Sequence, residues 1–202
     1  MNALLRLSRL VDAVNDRIGR ATMWLVLAAV LVSSVNAIAR KAFSASSNAY
    51  LELQWYLFAA VFLLGAGHVL LKNEHVRIDA LSGRWSRRTQ VWVDVVGLVV
   101  FLLPLCAWVT VQSWPVFAQA FASGEISTNA GGLVRWPAYL LLPLGFALLG
   151  LQALSELVKR IAFLRGLGPD PAASARAASD EDALRRTLEQ ERALRERRAP
   201  PP

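Results

Sequence analysis

The chain has 202 residues, 55% of them hydrophobic, with a mean hydropathy of +0.39. A soluble domain of this length spreads its apolar residues in short periodic runs; here they collect in four long blocks, which excludes an ordinary soluble fold. The net charge of +7 lies outside those blocks, and in a membrane protein such an excess marks cytoplasmic loops before it marks nucleic acid.

In chain order, residues 1–20 carry Leu4, Leu7, Val11, Val14 and Ile18 at steps of three and four, which is one stripe of a helix. Arg6, Arg9, Asp12, Asp16, Arg17 and Arg20 fill much of the other side. This pattern predicts an amphipathic helix lying in the headgroup layer. The first span follows over about 22–39 and stops at Arg40 and Lys41. A cleaved signal peptide is the rival reading, but the run is longer than a typical signal core and is charged at both ends.

The second span covers 49–71. Its opening mixes Glu52 and Gln54 with Tyr50, Trp55 and Tyr56, an interfacial belt. A basic loop leads to the third span, 91–114, with Pro104 in its middle. A loop from 115 to 135 then carries Trp114, Phe117 and Phe121 on one helical face, placed along the outer surface, and the fourth span covers 136–154. Residues 165–202 form a Gly/Pro/Ala linker and a charged helical tail. In that tail Ser179 is the expected N-cap, with i,i+4 pairs such as Glu181–Arg185 and Glu191–Arg195.

Nineteen of the 22 Lys and Arg residues fall in the N-terminal segment, the second loop and the chain after the fourth span. That bias puts both termini in the cytoplasm. The expected fold is therefore all-α and integral to the membrane: an interfacial helix over 1–20, a four-helix membrane domain over 21–164, and a linker and tail over 165–202.

The span centres carry no charge. An ion or proton pathway usually shows as an ionisable group at mid-bilayer, so a self-sufficient transporter is a poor fit. Glu52, Asp94 and Glu156 sit near span ends; Asp94 is expected to pair with Arg87 or Arg88, and Glu156 with Lys159 or Arg160. Ser33, Ser34 and Asn36 read as hydrogen-bonding glue between helices. Haem held across a bundle needs two histidines on facing helices, and His68 and His75 are only seven residues apart in sequence. The one cysteine, Cys106, allows no internal disulfide and belongs to no metal-binding spacing. No cofactor, metal or catalytic set is expected.

Four strings at the span edges are distinctive: SSNAYLELQWYLF, KNEHVRID, SGEISTNAGGLVRWP and LPLGFALLGLQALSELVKRI. Together they resemble the small membrane subunit (DctQ-like) of tripartite ATP-independent periplasmic (TRAP) transporters, over about residues 5–165. The likeness is nearest to the branch labelled mannitol/chloroaromatic-compound type. The resemblance implies a non-catalytic scaffold in the bacterial inner membrane. Its implied partners are a large elevator-type subunit, which carries the substrate and Na+ sites, a periplasmic binding protein that captures an organic acid, and membrane lipids; nucleic acid is not among them.

By the same resemblance, Arg40, Glu52, Trp55, His75, Arg77 and Asp79 match recurrent edge positions and are candidate structural or interface residues. Arg40 and Glu52 are expected to tie the first two spans together, Asp79 to cap a short helix, and His75 and Arg77 to face headgroups or the large subunit. Ser127, Asn129, Gly131 and Gly132 are expected to form an adaptable turn on which the binding protein docks. The alternatives are a haem- or quinone-binding anchor of a redox enzyme and a stand-alone membrane scaffold or channel.

Overall fold

The computed structural model describes residues 2–43, 47–72, 85–170 and 187–188. Four helices dominate: α1 (Asn2–Phe43), α2 (Asn48–Lys72), α3 (Arg87–Ser123) and α4 (Trp136–Leu164). All four are long and apolar enough to cross a membrane. Helix is the natural outcome, because an apolar solvent leaves a backbone N–H or C=O no partner outside its own segment.

The chain alternates between two ends. One end holds the α1–α2 link and the loop of residues 124–135, and is called the hairpin end below. The other holds the N-terminus, the start of α3 and the exit from α4, and is called the terminal end. Helix α4 is the most buried of the four and lies between α3 and the α1–α2 pair. Its Ala153 packs with Leu70 of α2 and Leu98 of α3, and Leu102, Leu103, Leu149 and Leu157 close around them.

Helix α1 differs from expectation. There is no break near residue 20; the segment read as a separate in-plane helix is the first half of one 42-residue α-helix. At 1.5 Å per residue α1 is about 63 Å long, roughly twice the hydrocarbon thickness. What holds this extension upright is its inner face. Ser8, Asn15, Thr22, Ala29 and Asn36 are all buried, each seven residues after the last. A seven-residue repeat keeps one seam against left-handed neighbours. Small and polar side chains on that seam let backbones approach and hydrogen-bond. Leu4, Leu7, Leu10 and Val14 face outward instead.

Helix α3 also exceeds its expected span. It continues through Pro115 to Ser123, so the Trp114–Phe117–Phe121 stripe belongs to a helix and not to a loop. The stripe ends edge-on against Trp136 at the start of α4. Pro104 has no N–H, and its ring crowds the carbonyl four residues back. The helix accommodates it upstream by widening into one π turn, Gly97–Leu102, where the Leu103 N–H donates to the Leu98 carbonyl.

Helices α1 and α2 cross where glycines face bulky neighbours. A Cβ on Gly19 would lie 2.1 Å from the His68 ring, and one on Gly67 would lie 2.2 Å from Asn15 Oδ1. Each helix thus sets a side chain onto the bare backbone of the other. Gly19→Ala is expected to force the pair apart at a cost of about 1–3 kcal/mol, the usual scale for overpacking. Gly65→Ala meets only an ordinary contact at 3.9 Å. Thermal unfolding in detergent checks this: Gly19→Ala should melt several degrees below the parent and Gly65→Ala at or above it.

Candidate functional site

Two polar clusters stand out, one at each end. At the hairpin end the cluster is built on Glu52, in the second turn of α2. Chain leaving α3 turns at Gly124, whose positive φ of 63° closes the helix, and returns as a narrow hairpin. The hairpin is held by the Ile126–Val134 bridge and by Ser127 N donating to Leu133 O at 2.9 Å. Its tip folds over the Glu52 carboxylate. Ser127 Oγ and Asn129 Nδ2 (2.8 Å) donate to one oxygen, and the Leu133 N–H donates to the other at 2.7 Å. Asn48 Nδ2 donates to Ala130 O at 3.0 Å and the Tyr56 hydroxyl to Val134 O at 3.2 Å, so three α2 side chains grip one hairpin.

Gly132 is required here, because a Cβ would come within 2.9 Å of the Glu52 carboxylate and closer still to Ser127. At the hairpin's base Arg135 pairs with Glu125 at 2.9 Å and donates to the Tyr139 hydroxyl. The Tyr139 hydrogen bond, with Glu125 beside it, raises the guanidinium above its ordinary range. It stays a fixed cation.

The sequence-predicted residues therefore separate. Glu52, Ser127, Asn129 and Gly132 come together, and Gly131 forms the turn beside them at φ 70°. The turn expected to be adaptable is tied at five points. Arg40 does not meet Glu52: the carboxylate is taken by hairpin donors, and Arg40 stands exposed without an ion-pair partner among the described residues. Trp55 is 74% exposed on the outer face of α2. His75, Arg77 and Asp79 lie outside the described residues.

The terminal-end cluster was missed from the sequence. Gln152 of α4 is 0% exposed and Asn15 of α1 is 1% exposed. Asn15 Nδ2 donates to Gln152 Oε1 at 2.9 Å, and Gln152 Nε2 donates to Asp12 Oδ1 at 2.8 Å. Ser155 Oγ donates to the same Asp12 oxygen at 2.7 Å and shares a 2.6 Å hydrogen bond with Ser8. Lys159 reaches Asp12 at 3.1 Å and also pairs with Glu156, which pairs with Arg160. Arg160 then reaches Asp94 of α3 at 3.3 Å.

On the α2 side, Asp16 holds Lys72 at 3.4 Å and Arg20 at 2.8 Å. Charges from all four helices thus join in paired groups. Asp94 meets Arg160 across the bundle and also acts by its charge on the nearby Arg87, which binds Asp170 through two nitrogens. Glu156 pairs with both expected partners. The seven-residue recurrence of Ser8, Asn15, Thr22 and Asn36 was the available signal; the strong apolar stripe beside it masked it. Among the described residues no three His, Cys, Asp or Glu side chains group as a metal requires.

The strings that set this chain apart thus meet in space: ELQW with EISTNAGG at one end, and the LQALSELVKR segment with α1 at the other. Residues 29–163, more than half of the chain, match the family described as tripartite ATP-independent periplasmic transporters, DctQ component. The chain belongs to this family. No curated protein and no solved structure matches it. Membership makes this DctQ component a multi-pass membrane protein and part of a transporter, in keeping with its four spanning-length helices.

Two predictions follow from the clusters. Glu52→Gln keeps one acceptor but turns the other oxygen into a donor facing a donor. At about 1.5–3 kcal/mol for a hydrogen bond to a charged group, the Leu133 amide should exchange with solvent at least about tenfold faster, as hydrogen–deuterium exchange would read. Gln152→Leu takes the buried acceptor from Asn15 and one donor from Asp12, which keeps Ser155 and Lys159, and should destabilise the bundle by about 1–3 kcal/mol. Adding Asn15→Leu removes the amide that lost its acceptor, so the double variant should recover part of that loss in a thermal melt.

Proposed function

We propose that the chain is the small permease subunit of a TRAP transporter. It is a non-catalytic scaffold that packs against the large elevator-type subunit and helps seat the periplasmic binding protein during cation-coupled uptake of an organic acid. The family match over residues 29–163 carries this reading. Two features of the chain support it. The span centres hold no charge, so substrate and ion sites belong to another subunit. Bulky side chains such as Trp24, Trp55 and Phe62 face outward, available to lipid or to a larger membrane partner.

The lysine and arginine bias supports a terminal end in the cytoplasm and a hairpin end in the periplasm of a bacterial inner membrane. In this orientation Ser127, Asn129, Gly131 and Gly132 present a preformed surface to the binding protein. Trp55 is a contact for the large subunit or its lipids, and the 73–84 segment with His75, Arg77 and Asp79 serves the cytoplasmic side. The edge strings place the chain nearest the mannitol/chloroaromatic-compound branch, which names a class and not a substrate.

The test is recovery of the tagged chain from its native membrane in mild detergent. One large polytopic protein in equal amount is the expected result. The chain alone, stable and monodisperse, would revive the stand-alone scaffold. Uptake by whole cells gives a second check. Glu52→Ala should reduce it several-fold while the complex persists at normal levels, and unchanged uptake removes the hairpin from function.

A further inference from the structure

We propose that the groove between α1 and α2, at the terminal end, is a binding site for one anionic phospholipid whose phosphate bridges Arg20 of α1 and Lys72 of α2. Such a site needs only helices that span the bilayer in the orientation given above, whatever partner the chain takes.

The first support is charge. Asp16 of α1 is shared: Arg20 reaches it at 2.8 Å and Lys72 at 3.4 Å, while His68 Nδ1 stands 3.6 Å away, buried and without a hydrogen bond. One carboxylate thus draws a cation from each helix to the same spot. Both keep an open side, with the Arg20 side chain 63% exposed and that of Lys72 48% exposed. Asp16 occupies one Arg20 nitrogen, and a guanidinium has five N–H donors, so donors remain for a phosphate. Arg17, three residues before Arg20, is also exposed and has no ion-pair partner among the described residues. Three fixed cations against one carboxylate leave two positive charges here, before any proton on His68. Asp12, the next acid along α1, is taken by Lys159 of α4.

The second support is depth. Tyr50 opens α2 and Lys72 closes it, about 33 Å apart along the helix. The hydrocarbon core is about 30 Å thick, so with Tyr50 in the outer interfacial belt Lys72 reaches the inner headgroup layer. The apolar lining follows from helix geometry. Arg20 and Met23 follow Asp16 at steps of four and seven, and Trp24 follows Arg20 at a step of four, so they lie on adjoining strips of α1. Asp16 fixes where those strips stand, because its partners Lys72 and His68 belong to α2. Met23 and Trp24 are both exposed, about 5 Å further into the bilayer than Arg20. Cationic donors therefore stand at phosphate depth and bulky apolar side chains at the depth of the acyl chains. Anionic lipid of the cytoplasmic leaflet attracts juxtamembrane cations, and two that Asp16 already holds lose less freedom on binding it.

Native mass spectrometry of the whole chain, titrated with phosphatidylglycerol or with phosphatidylcholine, tests this. The parent should hold its first phosphatidylglycerol at least about tenfold more tightly than phosphatidylcholine. Arg20→Gln/Lys72→Gln should lose most of that preference. Arg20→Lys/Lys72→Arg keeps both charges and should retain it. The readout is a ratio of two lipids on one protein, so a general loss of stability does not imitate the effect. Equal affinity of the parent for both lipids overturns the proposal and leaves the cations to an acidic protein partner. An unchanged preference in Arg20→Gln/Lys72→Gln overturns it as well. So does inorganic phosphate in phosphatidylcholine nanodiscs that protects the parent from thermal unfolding as well as phosphatidylglycerol does, which assigns the cations to a soluble anion. None of these outcomes touches recovery of a large partner, so the subunit reading stands or falls by its own test.

Discussion

A helix in hydrocarbon gains nothing by hiding leucine from its surroundings, because lipid is as apolar as leucine. Specific association must come from close backbone approach and from polar groups that find one another. In this chain that requirement falls on α4 and on the inner seam of α1. Gln152 links Asn15 to Asp12, Ser155 links Asp12 to Ser8, and the seam's glycine notch admits His68 of α2. Remove these and the exposed apolar surfaces of four helices would leave their relative register unspecified. The buried ion pairs add specificity more than stability, since desolvating a charge offsets much of what its partner returns.

The same economy of polar contacts shapes the opposite end. One carboxylate, that of Glu52, accepts three hydrogen bonds from a hairpin 75 to 81 residues away in sequence. Charge-assisted hydrogen bonds are the stronger kind, and here they order a segment that would otherwise be an ordinary surface loop. A surface ordered in advance loses less entropy when anything binds it.

Both ends are polar, fixed and specific; the middle is apolar, uncharged and outward-facing. For a transporter component this is a body anchored by its polar ends and open to the membrane along its middle.

Much of this was legible without coordinates. Hydropathy and length identified four spanning helices, because a bilayer imposes about 20 apolar residues on any helix that crosses it. The local strings pointed to the family, and Glu52, Ser127, Asn129 and Gly132 were singled out before their contacts were known. Partner choice was legible within a helix, as for Glu156 with Lys159 and Arg160, but not across helices. Arg40 and Glu52 looked complementary, but only the folded hairpin shows that Glu52 is already taken; Asp94 had Arg87 nearby in sequence, and the fold adds Arg160 from α4. Helix continuity was not legible either. The apolar stripe of residues 4–18 and the polar seam beside it are both real, and periodicity alone does not say which one faces the protein. Sequence determines which segments are helical and which side chains lie on each face, since both follow from local geometry. Which face turns inward depends on what the other helices present, and that is decided only when all four pack together.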